Sequence, residues 1–215
     1  ARRADRLETV AQAVGGAVVL PFDVTDESGF AEAWARIEAE VGGCDLVIFL
    51  AGAYRPTRAW EMDDEGIRKT VDTNLVAPLR GTATVLPAFL KRRAGGLVIV
   101  ASVAGYGGLP QACLYGPTKA ALINFAQTLY MDVHERGVDV YLVNPGFVET
   151  PLTADNDFEM PALIQPAEAA QAILDGLGRG AFEIHFPKRF SWVLKALQWL
   201  PRGLYFPLIK RVTGL

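Results

Sequence analysis

Ser102, Tyr115 and Lys119 have the side-chain types and the spacing needed to move a proton to or from an oxygen bonded to carbon. Lys119 lies four positions after Tyr115, which places both on one face of a helix. A phenol with its usual pKa of about 10 is a poor acid or base at neutral pH, and a nearby ammonium lowers that pKa by stabilising the phenolate. Ser102 ends an apolar strand and can hydrogen-bond the same substrate oxygen. The three residues predict acid–base chemistry on an alcohol or carbonyl group.

Alternating helices and strands along the chain predict an α/β fold with one doubly wound, mostly parallel sheet of the Rossmann-like kind. Short apolar runs predict strands at 17–22, 45–52, 97–102, 138–146 and 181–186. Helical periodicity predicts helices at 7–14, 30–41, 61–76, 79–93, 115–136 and 167–178. Ligands of such sheets bind beyond the carboxyl ends of the strands. Those ends carry Asp23, Ala51-Gly52, Ser102 and Asn144-Pro145-Gly146.

These residues, in this order, resemble the short-chain dehydrogenase/reductase family from residue 1 to about 188. The resemblance rests on residues 23–25 (DVT), 51–53 (AGA), Asn74, Ser102, Tyr115 with Lys119, and 144–151 (NPGFVETP). It implies an NAD(P)-dependent oxidoreductase that moves hydride between a nicotinamide and an alcohol or carbonyl substrate. Tyr115 would be the catalytic acid or base, and Ser102 would orient the substrate oxygen. Lys119 would lower the pKa of Tyr115 and bind the nicotinamide ribose, while Asn74 would hold a water in a proton relay.

The resemblance also implies a set of cofactor contacts. Asp23 and Val24 would contact the adenine. Ala51 and Gly52, which end the next predicted strand, would also contact the cofactor. The loop containing Pro145, Gly146, Val148 and Thr150 would hold the nicotinamide. Arg2 and Arg3 would face a 2′-phosphate, which favours NADP over NAD because a guanidinium binds phosphate well. Considered without the resemblance, the two arginines fit the solvated start of a helix.

Two departures from the family pattern stand out. Phe49 and Leu50 occupy positions where the family has two asparagines, so the hydrogen bonds of those amides must be absent or supplied elsewhere. The Gly-rich phosphate loop of the family would precede Ala1. We therefore expect a further segment of roughly 30–40 residues in the natural protein, one βαβ unit, which would also pair with the strand at 17–22.

Two other functions stay open at this point. A non-catalytic dinucleotide-sensing or interaction module could use the same fold. Nucleotide-sugar epimerases and dehydratases share the Tyr-x-x-x-Lys helix, but they carry a larger substrate domain than the residues after Thr150 provide. The presence of Ser102, Tyr115, Lys119 and Asn74 together favours the oxidoreductase.

Composition excludes several partners. A net charge of −3 gives no reason to expect nucleic acid, and two cysteines fit a reducing, cytoplasmic location. His134 and His185 have no second ligand at a useful spacing, so we expect no metal site.

The resemblance implies a homo-oligomer that pairs the helices at 79–93 and 115–136. The residues flanking the predicted crevice favour a lipophilic substrate: Tyr106, Leu109, Leu152, Phe158 and Met160.

The chain divides into a catalytic domain at 1–187, incomplete at its N-terminus, and a C-terminal extension at 188–215. Residues 184–215 contain six basic residues and no acidic one. Aromatic and apolar residues border a basic helical face there, which is typical of a helix lying at a membrane surface. The same apolar face could instead pack on the domain or on a second subunit, which is the commoner arrangement.

Overall fold

Four parallel strands form the centre of the protein, and their order in the sheet is their order in the chain. The computed structural model describes residues 1–153 and 160–213. The strands are β1 (Leu46–Phe49), β2 (Gly96–Val100), β3 (Asp139–Pro145) and β4 (Glu183–Phe186). In the sheet register, Ile99 of β2 lies between Phe49 of β1 and Leu142 of β3. The predicted α/β class is confirmed.

Helices cover both faces of this sheet. They are α1 (Ala4–Ala13), α2 (Gly29–Val41), α3 (Asp64–Val71), α4 (Ala77–Arg92), α5 (Tyr115–Val133), α6 (Pro166–Gly178), α7 (Lys188–Leu197) and α8 (Arg202–Thr213). On one face, Ile99 and Leu142 pack against α4 and α5. On the other face, Val98, Val143 and Ile184 pack around Ala169 of α6. Successive side chains of a strand therefore pack alternately into two separate hydrophobic cores, as the unbroken apolar runs predicted.

The strand predicted at 17–22 is wrong. This segment has no strand structure, and Val18 is exposed. A strand is defined by its partners, and within the described chain β1 pairs with β2 and with no second strand. The hydrogen bond from the Phe22 N–H to the Ala1 carbonyl, 3.1 Å long, is a single contact and not a ladder.

The helices predicted at 61–76 and 79–93 form one continuous run. A π-helical turn at Asp72–Val76 joins α3 to α4 and contains the buried Asn74. A π turn takes up extra residues, so the apolar faces of α3 and α4 do not share one 3.6-residue period. The sequence pattern is interrupted there although the helical backbone is not.

Helices α7 and α8 pack on the turn between β2 and α5. Tyr205 and Ile209 of α8 are buried, and the Tyr205 hydroxyl donates a hydrogen bond of 2.8 Å to the Gly108 carbonyl. Packing on the protein is therefore one role of the C-terminal segment, while the division into 1–187 and 188–215 stays a prediction. In the described part of the chain, every helix is too short or too polar to cross a membrane.

The turn after β2 passes unusually close to the backbone of α5 at Gly105. A Cβ atom added to Gly105 would lie 2.7 Å from the Lys119 carbonyl carbon and 2.8 Å from the Ala120 nitrogen. Backbone atoms cannot move aside as a flexible side chain can, so only glycine fits. Gly105 thereby sets the distance between the turn that begins at Ser102 and the helix that carries Tyr115 and Lys119.

Candidate active site

Hydrogen bonds connect the ends of β2 and β3 to the first turns of α5. The Ser102 Oγ accepts a hydrogen bond from the Ala104 N–H (3.1 Å) and donates one to the Pro145 carbonyl (3.4 Å). The Lys119 Nζ donates a hydrogen bond of 2.9 Å to the Val100 carbonyl. Ser102, Lys119 and the strand-end loop after β3, predicted as parts of one site, therefore meet at the carboxyl edge of the sheet.

Tyr115 is the first residue of α5, and its half-buried ring faces two neighbours. The ring of Tyr54 meets it edge to face with centroids 4.9 Å apart, and the Lys119 Nζ lies 5.4 Å from its centre. Burial raises the pKa of Tyr115 to about 12, although a hydrogen bond from Ser102 acts in the opposite direction. The net shift is upward because burial is the largest cause, so the lowering expected from Lys119 stays a prediction. Burial dominates, and the ammonium donates to Val100.

Lys119 is a buried cation. Removal from water lowers the pKa of its ammonium to about 8, so the group keeps its charge at neutral pH but with a smaller margin than an exposed lysine. An ammonium has three N–H donors, and Val100 takes one of them. The remaining donors suit the hydroxyl groups of a sugar, which accept hydrogen bonds. This geometry fits the ribose-binding role that the family resemblance implies.

Asn74 holds the loop that follows β1. Its Oδ1 accepts a 2.7 Å hydrogen bond from the Ala53 N–H, and its Nδ2 donates to the Ala53 carbonyl at 2.8 Å. The same Nδ2 donates to the Thr118 Oγ1 at 3.3 Å, and Thr118 donates to the Tyr115 carbonyl at 2.8 Å. Asn74 thus ties this loop to the start of α5. The water relay expected of it stays a prediction.

The loop after β1 is open to a ligand. Ala51 and Gly52 are exposed, and a Cβ added to Gly52 would have only the Asn74 Oδ1, at 3.7 Å, within 4 Å. Phe49 turns inward and packs edge to face on Phe30, 6.2 Å between centroids. The loop itself is held by the two hydrogen bonds between Asn74 and Ala53.

The loop predicted to hold the nicotinamide folds into a compact turn beyond β3. The Gly146 N–H donates to the Phe186 carbonyl at 2.7 Å. The Thr153 hydroxyl donates to the Val148 carbonyl at 2.7 Å and accepts from the Thr150 N–H at 3.2 Å. Pro145, Gly146, Val148 and Thr150 are therefore held together next to Ser102. Phe158, predicted to flank the crevice, lies outside the described residues.

A second group of predicted cofactor residues meets after the segment 17–22. The Arg2 guanidinium lies 3.4 Å from the Asp23 carboxylate, and both side chains are exposed. Hydrogen bonds from the backbone and hydroxyl of Thr25 lower the pKa of Asp23, with a smaller contribution from Arg2. Val24 is half-buried. Arg3 is exposed and directly precedes α1, and its side chain makes no capping hydrogen bond to the helix. Arg2 and Asp23 are brought together as two ends of one polar patch.

Sequence reasoning missed three contributors to this site. The carbonyl of Val100 has no side-chain signature, because any residue could supply it. Tyr54 follows the Ala51-Gly52-Ala53 loop and could have been noticed as an aromatic beside a predicted ligand site. Thr118 precedes Lys119 directly, and its bridging role depends on the π turn that brings Asn74 to it.

The two histidines have structural neighbours. His185 is buried, with its Nδ1 2.6 Å from the Ser191 Oγ, and burial lowers its pKa to about 4. The His134 ring stacks on Tyr130 with centroids 4.5 Å apart. Across residues 1–153 and 160–213, no three His, Cys, Asp or Glu side chains are grouped so that they could hold a metal ion.

Comparisons with known proteins show the family of the chain. A family model described as short chain dehydrogenase matches residues 1–160. An uncharacterized oxidoreductase of Myxococcus xanthus is 34% identical over 215 residues, which cover 98% of this chain and 85% of that protein. The 3-oxoacyl-[acyl-carrier-protein] reductase FabG of Escherichia coli is 34% identical over 134 residues, covering 62% of this chain but only 55% of the reductase. A short-chain dehydrogenase from Sphingobium yanoikuyae, solved with NADPH, superposes with a TM-score of 0.82 at 26% identity over 95% of this chain and 83% of its own.

The buried Lys119 predicts a specific dependence of stability on pH. The pKa of Lys119 is about 8 in the folded protein, and 10.5 is the value for a lysine exposed to water, as in the unfolded chain. Between these two pH values the unfolded chain therefore binds more protons than the folded protein. The penalty for burying the charge is present below pH 8 and is relieved as the pH rises. The free energy of unfolding should therefore gain about 2 kcal/mol from Lys119 between pH 8 and pH 10.

Denaturant unfolding of the wild type and of Lys119→Met across this range measures that gain as the difference between the two curves. Lys91→Met, which removes an exposed lysine from α4, is the control and should follow the wild type. A parallel pH dependence in all three proteins would mean that Lys119 is not buried as a cation.

Proposed function

The chain is an oxidoreductase of the short-chain dehydrogenase/reductase family, and from that premise we propose that it transfers hydride between NADP(H) and a lipophilic alcohol or carbonyl compound. The observation that carries the proposal is the meeting of Ser102, Tyr115 and Lys119 at the carboxyl edge of the sheet. No one of these residues would be sufficient, because the reaction needs an oriented oxygen, a proton donor and a charge that assists the proton donor.

Tyr115 is the proton donor in carbonyl reduction. With a pKa of about 12 it holds its proton at neutral pH, so it can protonate the substrate oxygen as the carbon is reduced. Ser102 hydrogen-bonds that oxygen and stabilises the negative charge that develops on it. In alcohol oxidation the same phenol must first lose its proton, and the positive charge of Lys119 favours the phenolate.

The protonation state of Tyr115 is restored through its neighbours. Lys119 keeps a labile proton because its pKa is about 8, close to the working pH. We propose that Asn74 supports this exchange by holding the loop and a relay water beside Lys119. Its bonds to Ala53 and Thr118 fix the position of its amide relative to α5.

The residues present fit a dinucleotide. The bound nicotinamide supplies or accepts the hydride, which no amino-acid side chain can do. The buried ammonium of Lys119 offers donors to the ribose, and the exposed backbone at Ala51 and Gly52 allows a close approach. The loop of Pro145, Gly146, Val148 and Thr150 would bind the nicotinamide, and Asp23 and Val24 the adenine. Arg2 and Arg3 would select NADP over NAD through the 2′-phosphate. The NADPH in the related structure from Sphingobium yanoikuyae supports this preference.

The proposed substrate is lipophilic because apolar side chains surround the turn after Ser102. The crevice there has a volume of about 10 Å³ and is lined by Val103, Tyr106, Gly107, Leu109, Leu194, Leu197 and Tyr205. A volume of that size holds about one water, so the apolar character of the lining, and not a formed cavity, supports the proposal. The hydroxyl of Tyr106 donates to Glu183 at 2.6 Å, so the tyrosine contributes its ring and not its polar end. A sugar would leave its own hydroxyl groups without partners in such a crevice.

We further propose a cytoplasmic protein that forms a homo-oligomer through α4 and α5 and contacts a membrane surface through residues 188–215. Exposed Leu79 and Met131, on the outer surfaces of these two helices, support the subunit contact.

The second candidate function is a non-catalytic dinucleotide-binding module, which rests on the fold alone. The buried Lys119 beside Tyr115 counts against it, since such a costly charge is retained at functional sites.

Replacing Tyr115 by phenylalanine removes the proton donor and little else. We expect Tyr115→Phe to fold normally and to lose at least about 10²-fold in kcat for carbonyl reduction with NADPH, the usual contribution of acid–base catalysis. Steady-state kinetics with a panel of medium- and long-chain carbonyl compounds measures this. Tyr141→Phe, which removes a hydroxyl from β3 away from the site, should keep wild-type turnover. Equal turnover of both variants would reject the role of Tyr115.

The cofactor preference is tested by removing the two N-terminal arginines. Arg2→Ala with Arg3→Ala should raise the Kd for NADPH by roughly 10- to 100-fold, the usual effect of losing hydrogen bonds to a charged group. The Kd for NADH should change far less, because NADH lacks the 2′-phosphate. Fluorescence titration measures both constants, and Arg36→Ala with Arg68→Ala is the control for lost surface charge. An equal loss for both cofactors would contradict phosphate recognition.

A further inference from the structure

Helices α7 and α8 have an inner face that is fixed to the turn after Ser102. Tyr205 is buried and donates its hydrogen bond to Gly108, and Leu194 and Leu197 line the crevice on this side. Ile209 is buried one turn after Tyr205. These contacts attach both helices to the turn between β2 and α5.

A partly buried ion pair strengthens this attachment. The Lys195 Nζ lies 2.5 Å from the Glu183 Oε2. The other oxygen of Glu183 accepts from the Tyr106 hydroxyl at 2.6 Å and from the Asn144 Nδ2 at 2.8 Å. One carboxylate thus joins α7 to the turn after Ser102 and to the end of β3. Lys195, counted among the basic residues of the C-terminal segment, is used for this internal contact.

Most of the other side chains in this segment are exposed, and many of them are apolar. We define the outer face as these exposed apolar side chains: Trp192, Val193, Trp199, Leu204, Phe206, Leu208 and Val212. Leu204, Leu208 and Val212 recur every four residues and so form one stripe along α8. Trp199 is 89% exposed, which is exceptional for the largest apolar side chain. Seven exposed residues of this kind within 192–212 are an unusual amount of apolar surface for a soluble protein.

Positive charge surrounds the outer face. Lys188, Arg189, Arg202, Lys210 and Arg211 are exposed around it. No acidic residue occurs anywhere in 184–215, although the whole chain has a net charge of −3. Tryptophan and leucine beside lysine and arginine are the composition of helices that lie in the headgroup region of a membrane.

We propose that the outer face docks on an anionic membrane surface and thereby holds the turn after Ser102 near the lipid boundary. The packing and membrane roles of the C-terminal segment are not alternatives, because different side chains of the same segment serve them. The docking itself does not depend on the reaction. The delivery of a lipophilic substrate from the bilayer to the active site rests on the proposed function.

A second copy of the chain is the less favourable occupant of this face. A two-fold dimer places the same patch of both subunits in contact. The exposed cations around the outer face would then meet the identical cations of the other copy, without an acidic residue in 184–215 to separate them. An anionic lipid surface offers both apolar chains and the opposite charge.

Vesicle co-sedimentation tests the docking without any need for turnover, so its failure is distinct from a failure of the proposed function. The intact protein is mixed with vesicles of phosphatidylcholine alone or of equal parts phosphatidylcholine and phosphatidylglycerol. We expect binding to the anionic vesicles at low salt and little binding to the neutral ones. Trp199→Ser with Leu204→Ser should lower the bound fraction by about fivefold or more, since apolar area contributes to interfacial binding.

Trp60→Ser is the matched control, because Trp60 is 80% exposed and lies outside the C-terminal helices. It should bind as the wild type does. Vesicles with brominated acyl chains should quench tryptophan fluorescence in the bound protein, and binding without quenching would overturn insertion of the outer face. The proposal is also wrong if the intact protein stays in solution with anionic vesicles at low salt. It is equally wrong if analytical ultracentrifugation finds a dimer that the double substitution dissociates.

Discussion

The contact between the Gly105 turn and the backbone of α5 is the constraint on which the rest of the site depends. Without a Cβ at Gly105 the turn lies against Lys119 and Ala120 at van der Waals distance. This approach puts Ser102 beside Tyr115 and places Lys119 under the last carbonyl of β2. The same turn continues to Tyr106 and Gly108, where α7 and α8 are attached. One glycine therefore sets the positions of the proton donor, the buried cation and the apolar turn together.

Burial acts in opposite directions on the two titrating groups of this site. It raises the pKa of Tyr115 to about 12 and lowers that of Lys119 to about 8, because each neutral form is easier to remove from water. A neutral phenol beside an ammonium with a labile proton is the state from which a carbonyl oxygen can be protonated. The cost of burying Lys119 is offset in part by the Val100 carbonyl. An apolar residue of similar volume would give the fold equal or greater stability than a buried charge. Stability alone therefore does not explain the buried ammonium.

Much of this arrangement could be predicted from sequence, and the failures have physical causes. The four strands from 46 to 186 follow from continuous apolar runs, and the pairing of Tyr115 with Lys119 follows from helical spacing. The strand at 17–22 failed because a strand exists only with a partner, which a local pattern does not reveal. The π turn around Asn74 and the carbonyl of Val100 have no side-chain signature. The direction of the pKa shift of Tyr115 depends on burial, which spacing alone does not give. The outer face of α7 and α8 became visible only when their inner contacts were known.

The central claim is that Ser102, Tyr115 and Lys119 act as one unit because glycine allows the turn to lie on α5. The most direct measurement compares kcat for carbonyl reduction in Gly105→Ala and in Gly108→Ala, at a temperature where unfolding curves show both variants to be folded. A methyl group at Gly105 must push the turn away from backbone atoms and should lower kcat by about tenfold or more, which corresponds to roughly 1.4 kcal/mol of lost transition-state stabilisation. At Gly108 a Cβ meets nothing within 4 Å, so this variant should keep wild-type turnover. Unchanged kcat in folded Gly105→Ala would contradict the account.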